Sequence, residues 1–326
     1  MHDPTEINDA QSFGPLVEDF HAIKALSEFY VANGWDCHYQ QIGKGPLRVE
    51  VVSRVMQDLV IGSISVSQRI WGHATSGDGM VSVSLYLNDA DVAINGLRMD
   101  QDRLSIIPPN VGVDIVLGQG ARPLTMFVPV DRYERYGLTI GGSEFAPATS
   151  KISVIDVGRE NLDPLRRLSL GVLREYPNKE DVPALEDALL KELVRLVKEH
   201  KSDVLTRDPY NRLRKHDNIL RVIQYIHEHL LEDISVETVC ENCGISLSTL
   251  ERRFNRFLEV TPKQYILAAR LNRARRDLLD PLDFDHSIAE LAMRNRLLHM
   301  GRFSENYKAQ FGQLPSEERD IAMNGN

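Results

Sequence analysis

Residues 252–276 hold eight Lys or Arg and one acid, Glu259. Seven excess positive charges in so short a stretch suit a row of phosphates, because each neutralised phosphate releases a condensed counterion. A merely solvated helix face could carry the same charge, so the side chains within the run have to decide. Arg252 can bind guanine O6 and N7 with both arms of its guanidinium. A second spacing with chemical potential is Cys240-Glu-Asn-Cys243. Structural zinc takes four ligands, yet no second C-x2-C pair follows, and Cys240 falls where the helical pattern buries a small residue. His38 and His73 stand alone, with no His-x-His pair in residues 47–130. A catalytic metal site in a β-domain would need several His and a carboxylate converging from neighbouring strands. The expectation is therefore no metal, no cofactor and no enzymatic activity.

The elements that must position these residues are visible as a repeat. Ser235, Val236, Val239, Cys240 and Gly244 recur 52 positions later as Ser287, Ile288, Leu291, Ala292 and Arg296. Leu250, Phe254, Leu258 and Pro262 recur 53 positions later as Phe303, Tyr307, Phe311 and Pro315. Each copy reads as a Ser-capped short helix, a turn, and a longer helix with apolar residues every four positions. Gly244 stands where the turn requires a left-handed residue, and Ser246 is placed to cap the helix that follows. This is helix-turn-helix grammar, in units at about 235–258 and 287–311. One such pattern is weak evidence, since any helical hairpin can produce it; two copies joined by one long helix are far more specific.

Upstream, residues 47–130 alternate apolar and polar with period two, as in Val81-Ser-Val-Ser-Leu-Tyr-Leu. Asn95-Gly96, Pro108-Pro109-Asn110 and Gly118-Gln-Gly120 punctuate them as turns. Many short strands so spaced predict a small β-barrel or sandwich. Two helices follow, from Pro164 to about Glu175 and from Pro183 to near His200. The stripe Leu185, Leu189, Leu193, Leu196 and Val197 on the second either packs on its own domain or forms a dimer seam. Residues 202–217, polar and containing Asp208-Pro209, read as a linker. The domains expected are thus 1–201, with its trailing helices, and an all-α unit of about seven helices at 218–320, an α+β multidomain chain.

At 326 residues the chain is long enough for two cores. The net charge of −9 is uneven: residues 1–211 carry all of it, while 212–326 hold 17 bases and 17 acids. No apolar run approaches the roughly 18 residues of a membrane span. The polar start of the chain does not read as a signal peptide, and three cysteines make no even disulfide framework, which favours a reducing cytoplasm.

The joining segment contains Pro262, Tyr265, Arg270, Ala274 and Leu278 in the order P-x2-Y-x4-R-x3-A-x3-L, and the last unit closes with Phe311-Gly312-x2-Pro315-Ser316. Across residues 219–319 the chain resembles the AraC/XylS family of transcription regulators. The resemblance implies double-stranded DNA as partner, read at operator half-sites, and activation through RNA polymerase. It also implies a homodimer and a cupin-like β-barrel that binds a small-molecule effector. On the first unit, Ser246, Ser248, Glu251, Arg252 and Asn255 are the expected reading residues, with Arg253 and Arg256 as phosphate anchors; the resemblance too places a base-reading Arg at 252. On the second, His299, Met300, Arg302 and Lys308 remain available, although Arg296 replaces the turn glycine, Gly301 falls within the helix and Glu305 aligns with Arg252. Asn295, beside Arg296, tolerates the left-handed region; if Arg296 itself must adopt positive φ, strain of about 1 kcal/mol or more follows. Arg270 matches the family's Arg and could bridge the two units through a carboxylate as readily as bind a phosphate, while Arg273, Arg275 and Arg276 are candidate phosphate contacts. Trp35, Tyr39, Arg69 and Trp71 are the effector-binding candidates. The competing expectation is an effector-binding or protein-interaction chain whose DNA-binding domain has reduced competence. A DNA-repair methyl-transfer protein with a domain of this family would require a cysteine-rich N-terminal zinc module, which the sequence lacks.

Overall fold

Period-two alternation sends successive side chains to opposite faces of a strand. In the computed structural model, which describes residues 16–18, 20–141, 151–175, 177–200 and 219–324, it yields two antiparallel sheets. The proposed linker at 202–217 lies outside the described residues. The first sheet has seven strands in the order β1 (Leu16–Glu18), β3 (Arg48–Val55), β4 (Val60–Val66), β11 (Pro123–Pro129), β6 (Met80–Tyr86), β9 (Arg103–Ile107) and β12 (Ser153–Asp156). The second has five, in the order β2 (Asp36–Gln41), β5 (Ile70–Thr75), β10 (Gly112–Leu117), β7 (Val92–Ile94) and β8 (Leu97–Met99). Among the described residues no strand pair joins the two sheets, so the multi-stranded domain is open and not a closed barrel. The Asn95-Gly96 hairpin joins β7 to β8 with φ of 48° and 76°, the left-handed pair that a tight two-residue turn requires.

The seven-stranded sheet is covered on both faces. Val81, Val83 and Leu85 of β6 pack with α3 (Arg159–Arg174) and α4 (Val182–Glu199), while Tyr86 packs in the separate core between the sheets. The serines of β6 are buried as well: Ser82 accepts from the Trp35 indole at 3.2 Å and Ser84 pairs with Thr125 at 2.9 Å. The stripe of α4 is used internally, with Leu189, Leu193 and Leu196 fully buried in this core, and is not free to act as a dimer seam. Glu186 fixes the helix further, its buried carboxylate accepting from the Asp58 and Leu59 amides at 2.8 and 3.0 Å. Helix α3 begins five residues before the Pro164 start expected. Gly158, with φ of 84°, ends the preceding segment, and a distant carboxylate, Asp102, accepts from the Arg159 amide at 2.8 Å. Nothing local in the sequence announces that cap.

Seven α-helices follow residue 218 among the described residues: α5 (Ile219–Glu228), α6 (Val236–Cys243), α7 (Leu247–Leu258), α8 (Pro262–Leu279), α9 (Ile288–Arg294), α10 (Met300–Phe311) and α11 (Pro315–Asn324). Capping sets their starts. Ser235 accepts from the Thr238 amide, and Thr261–Gln264 and Ser287–Glu290 form reciprocal capping boxes. Gly244 takes φ of 63° in the first turn, as its type permits. Two cores result, and α8 belongs to both. Tyr265, Ile266 and Ala269 pack with Leu250, Phe254 and Leu258; Leu271, Ala274 and Leu278 pack with Phe303, Tyr307 and Phe311. At about 1.5 Å per residue the 18 residues of α8 make one uninterrupted rod.

The second core encloses charge. Arg275 donates through Nε and Nη2 to Oε1 of Glu318, and the Tyr307 hydroxyl donates to Oε2 of the same carboxylate. Both ionic side chains are buried, and the guanidinium lies 4.4 Å from the centre of the Phe311 ring. Removing one partner strands the other charge in the interior. Arg275→Ala is therefore expected to cost about 3–5 kcal/mol, read as an earlier midpoint in urea denaturation of the full chain. A loss below 1 kcal/mol would mean that the site solvates easily.

Candidate nucleic-acid interface

Helix α7 buries Leu250, Phe254, Phe257 and Leu258 and exposes Ser248, Glu251, Arg252, Asn255 and Arg256. One face of the helix thus packs on the first core while the other presents two guanidinium groups, a carboxylate, an amide and a hydroxyl together. Arg253 is half-buried at the margin of that face. Ser246 occupies the cap position with φ of −72°, but its hydroxyl donates to Thr249 Oγ1 at 2.9 Å and makes no bond to the helix backbone. The capping bond expected of Ser246 is therefore absent, its hydroxyl being turned toward Thr249 instead.

The second unit repeats the construction with different chemistry. Phe303, Tyr307, Gln310 and Phe311 are buried, and Met300, Gly301, Arg302, Glu305 and Lys308 are exposed. His299 is the cap residue of α10, exposed and without a side-chain capping bond. Gly301 is the second helical residue, so it lies in the first turn, where the glycine penalty of a helix interior does not fully apply. A Cβ there would meet nothing within 4 Å. Arg296 has φ of 60°, the left-handed conformation expected of a residue in the turn-glycine position.

The arginines of α8 divide by role. Arg270 donates to the carbonyls of Leu230 and Glu232 at 3.2 and 3.0 Å, tying the loop after α5 to the rod; the bridging partner is backbone and not a carboxylate. Arg275 is buried on Glu318 and cannot touch phosphate, a correction to the sequence reading caused by a partner 43 residues away. Arg276 donates to His38 at 3.2 Å on the other domain, and burial, then the charge of Arg273, lower its pKa. Cys240 and Cys243 are half-buried and buried, and burial raises both thiols. Among the described residues no cluster of His, Cys, Asp or Glu could hold a metal, and no helix is long and apolar enough to cross a membrane.

The sandwich grips the far ends of both exposed helices. Gln310 donates to the carbonyls of Gln41 and Gly43 at 3.1 and 2.8 Å, and Gln41 returns a bond to the Gln310 carbonyl at 2.8 Å. The Gly45 amide donates to Ala309 and Gln310 carbonyls, and Gly312 (φ 89°) lies so near Pro46 that a Cβ would sit 2.6 Å from its ring. At α7, Arg69 and Arg98 both pair with Glu259, which ends the helix at φ of 55°. Asn272 exchanges bonds with Gln41, and the Gln40 amide donates to the Tyr265 hydroxyl at 2.8 Å. These contacts were invisible in the sequence, since isolated Gln and Asn residues carry no periodic signal.

The four effector candidates do not converge. Trp35 and Tyr39 are buried in the core between the sheets, whereas Trp71 is stacked on His227 of α5 with ring centres 5.5 Å apart. Arg69 is engaged with Asp91 and Glu259. The void within the sandwich, beside Trp35, Tyr30 and Tyr86, measures only about 20 Å³. A cleft of about 420 Å³ opens instead between α1 (Phe20–Val31), β2 and the C-terminal half of α8, lined by Ile23, Lys24, His38, Tyr39, Arg276 and Leu279 among others.

Comparison with known proteins returns a helix-turn-helix domain family matching residues 239–321. The XylDLEGF operon transcriptional activator of Pseudomonas putida is 41% identical over 97 residues, 30% of this chain and 30% of that one. The transcriptional activator RhaS of Salmonella schwarzengrund (strain CVM19633) is 26% identical over 163 residues, half of this chain and 56% of its own. Among solved structures, the AraC-like transcriptional activator CuxR is 14% identical, with a TM-score of 0.40 over 79% of this chain and 93% of that one. The match to the first curated activators spans about 30% of their length.

The Trp71–His227 stack gives the contact between domains a pH dependence. Burial, followed by the charges of His38 and Arg276, lowers the His227 pKa from 6.5 to about 4. Above pH about 6.5 the imidazole is neutral folded or unfolded, so its contribution is complete. As pH falls from there to about 4 the unfolded chain takes up the proton first, and stability drops by at most about 3 kcal/mol. His227→Phe, which keeps a ring on Trp71, is expected to flatten this part of the profile in denaturation at pH 7, 5.5 and 4.5. Parallel profiles for variant and parent would show that His227 titrates as in water.

Proposed function

We propose that this chain, whose C-terminal helices match a helix-turn-helix domain family and resemble those of AraC/XylS transcription regulators, binds specific operator DNA and activates transcription. One observation carries the proposal: two capped helix-turn-helix units are built on a single rod, and the outward residues of α7 are exposed together while its other face fills a core. A recognition helix reads bases with its N-terminal half in the major groove. Arg252 is assigned to a guanine, Glu251 to a cytosine amino group, Ser248 and Asn255 to neighbouring edges. Arg253 and Arg256 hold phosphates and fix the register. The second unit reads fewer bases and anchors mainly through Arg302 and Lys308, because the exposed Glu305 repels the backbone it would approach.

Regulation comes from the sandwich, as part of the same proposal. The void beside Tyr30, Trp35 and Tyr86, about 20 Å³, is too small for an effector. The cleft beside α8 has room, with cationic Lys24 and Arg276 and neutral His38 over apolar Ile23 and Leu279, and Asp280 at its edge. A small anion with an apolar body fits that lining. Its binding would bear directly on the rod that spaces the two units. Dimerisation and contact with RNA polymerase belong to this reading as well, by likeness to the family.

The test is a gel-shift titration of the full chain against its own upstream DNA at two salt concentrations. Affinity should fall steeply with salt. Arg252→Ala should cost about 1–3 kcal/mol and relax the preference at one position, whereas Arg302→Ala should weaken all sequences alike and lower the salt slope by about one. If Arg252→Ala keeps both the affinity and the preference of the parent, Arg252 is not on the reading face.

A further inference from the structure

Four non-glycine residues among those described have positive φ: Asn95, Asn110, Glu259 and Arg296. Asparagine tolerates the left-handed region, and both Asn95 and Asn110 sit in turns between strands. Glu259 is strained by type, and its carboxylate is compensated by ion pairs with Arg69 and Arg98. Arg296 has the same strain, with φ of 60°, and an exposed side chain for which no acidic partner occurs among the described residues. The equivalent residue of the first unit is Gly244, at φ of 63°, so the turn itself asks for a glycine.

Nothing in the fold requires an arginine there. The turn is already pinned by its neighbour: the buried Asn295 donates to Asp277 at 2.6 Å and to the Leu291 carbonyl at 2.9 Å. Leu297 plugs the second core from the other side. Nor does Arg296 relieve a local charge, because the nearby Arg270 is itself cationic and is made less basic by burial and then by Arg296. Strain that persists without compensation inside the molecule points to a partner outside it. Four residues downstream α10 begins, with His299, Met300 and Arg302 exposed on its first turn.

We propose that Arg296 is a DNA-phosphate ligand, which the second unit acquires in place of its turn glycine and which makes up for the repulsion at Glu305. The inference rests on the DNA-binding reading above. A guanidinium on this turn neutralises a phosphate beside the groove that α10 enters. It adds affinity on any sequence and carries no base preference.

Arg296→Gly separates this role from a structural one, because glycine relieves the strain while it removes the charge. The variant should melt no lower than the parent, yet bind duplex DNA more weakly, with a slope of log affinity against log salt shallower by about one. Arg296→Lys, which keeps a cation at a poorer geometry, should retain the parental slope. Arg296→Gly with the parent's affinity and slope would overturn the inference and leave the DNA-binding reading standing. A parent chain that shows no salt-dependent binding to any duplex, its own upstream region included, would overturn both. A variant that melts well below the parent would also overturn it, since the arginine would then be part of the fold.

Discussion

Helix α8 supplies side chains to two separate hydrophobic cores, and that sharing is the constraint from which the rest of the C-terminal architecture follows. Its first turns pack Tyr265 and Ile266 against Phe254 and Leu250; its last turns pack Ala274 and Leu278 against Phe303 and Phe311. Small residues at Ala268, Ala269 and Ala274 let neighbouring helices approach closely, and after Pro262 the helix contains neither proline nor glycine. A rod of that kind has no natural hinge. The angle between α7 and α10 is consequently fixed by the rod's own helical phase, and one unit cannot turn relative to the other without opening a core.

How much of this was readable follows from the range of each interaction. The repeat, the caps at Ser235 and Ser287, and the left-handed turns at Gly244 and Arg296 are local events, and their signals lie within a few residues. The buried and exposed faces of α7 were likewise legible, since period 3.6 assigns them. Arg275 was misread because Glu318 is 43 positions away and a basic residue in a basic run looks solvated. The start of α3 was misread because Asp102 caps it from a distant loop. Alternation along β6 marked a strand correctly but said nothing of what covers each face; here both faces are buried, and the serines bond inside the sandwich.

The sandwich does more than sit beside the helices. Its five-stranded sheet turns Trp71, Ala93 and Val116 outward into the same apolar cluster as Ile226 and Tyr265, so the first helical core is completed by residues of the other domain. Polar groups surround that apolar centre, from Gln40 on Tyr265 to Asn272 on Gln41. Such a contact combines apolar burial with bonds of strict geometry, and small shifts of β2 or β5 are delivered directly to α8.

Where Pro46 rests on Gly312, two residues from different domains exclude each other's freedom to vary. The backbone at 312 favours glycine by its φ of 89°, and the proline ring forbids a side chain by proximity. Any substitution at 312 therefore has to be accompanied by retreat of the 43–46 loop, which would also remove the Gly45 bonds to the end of α10. The two stretches are one mechanical unit, and exchanging the helical half with that of a relative would succeed only if the loop travelled with it.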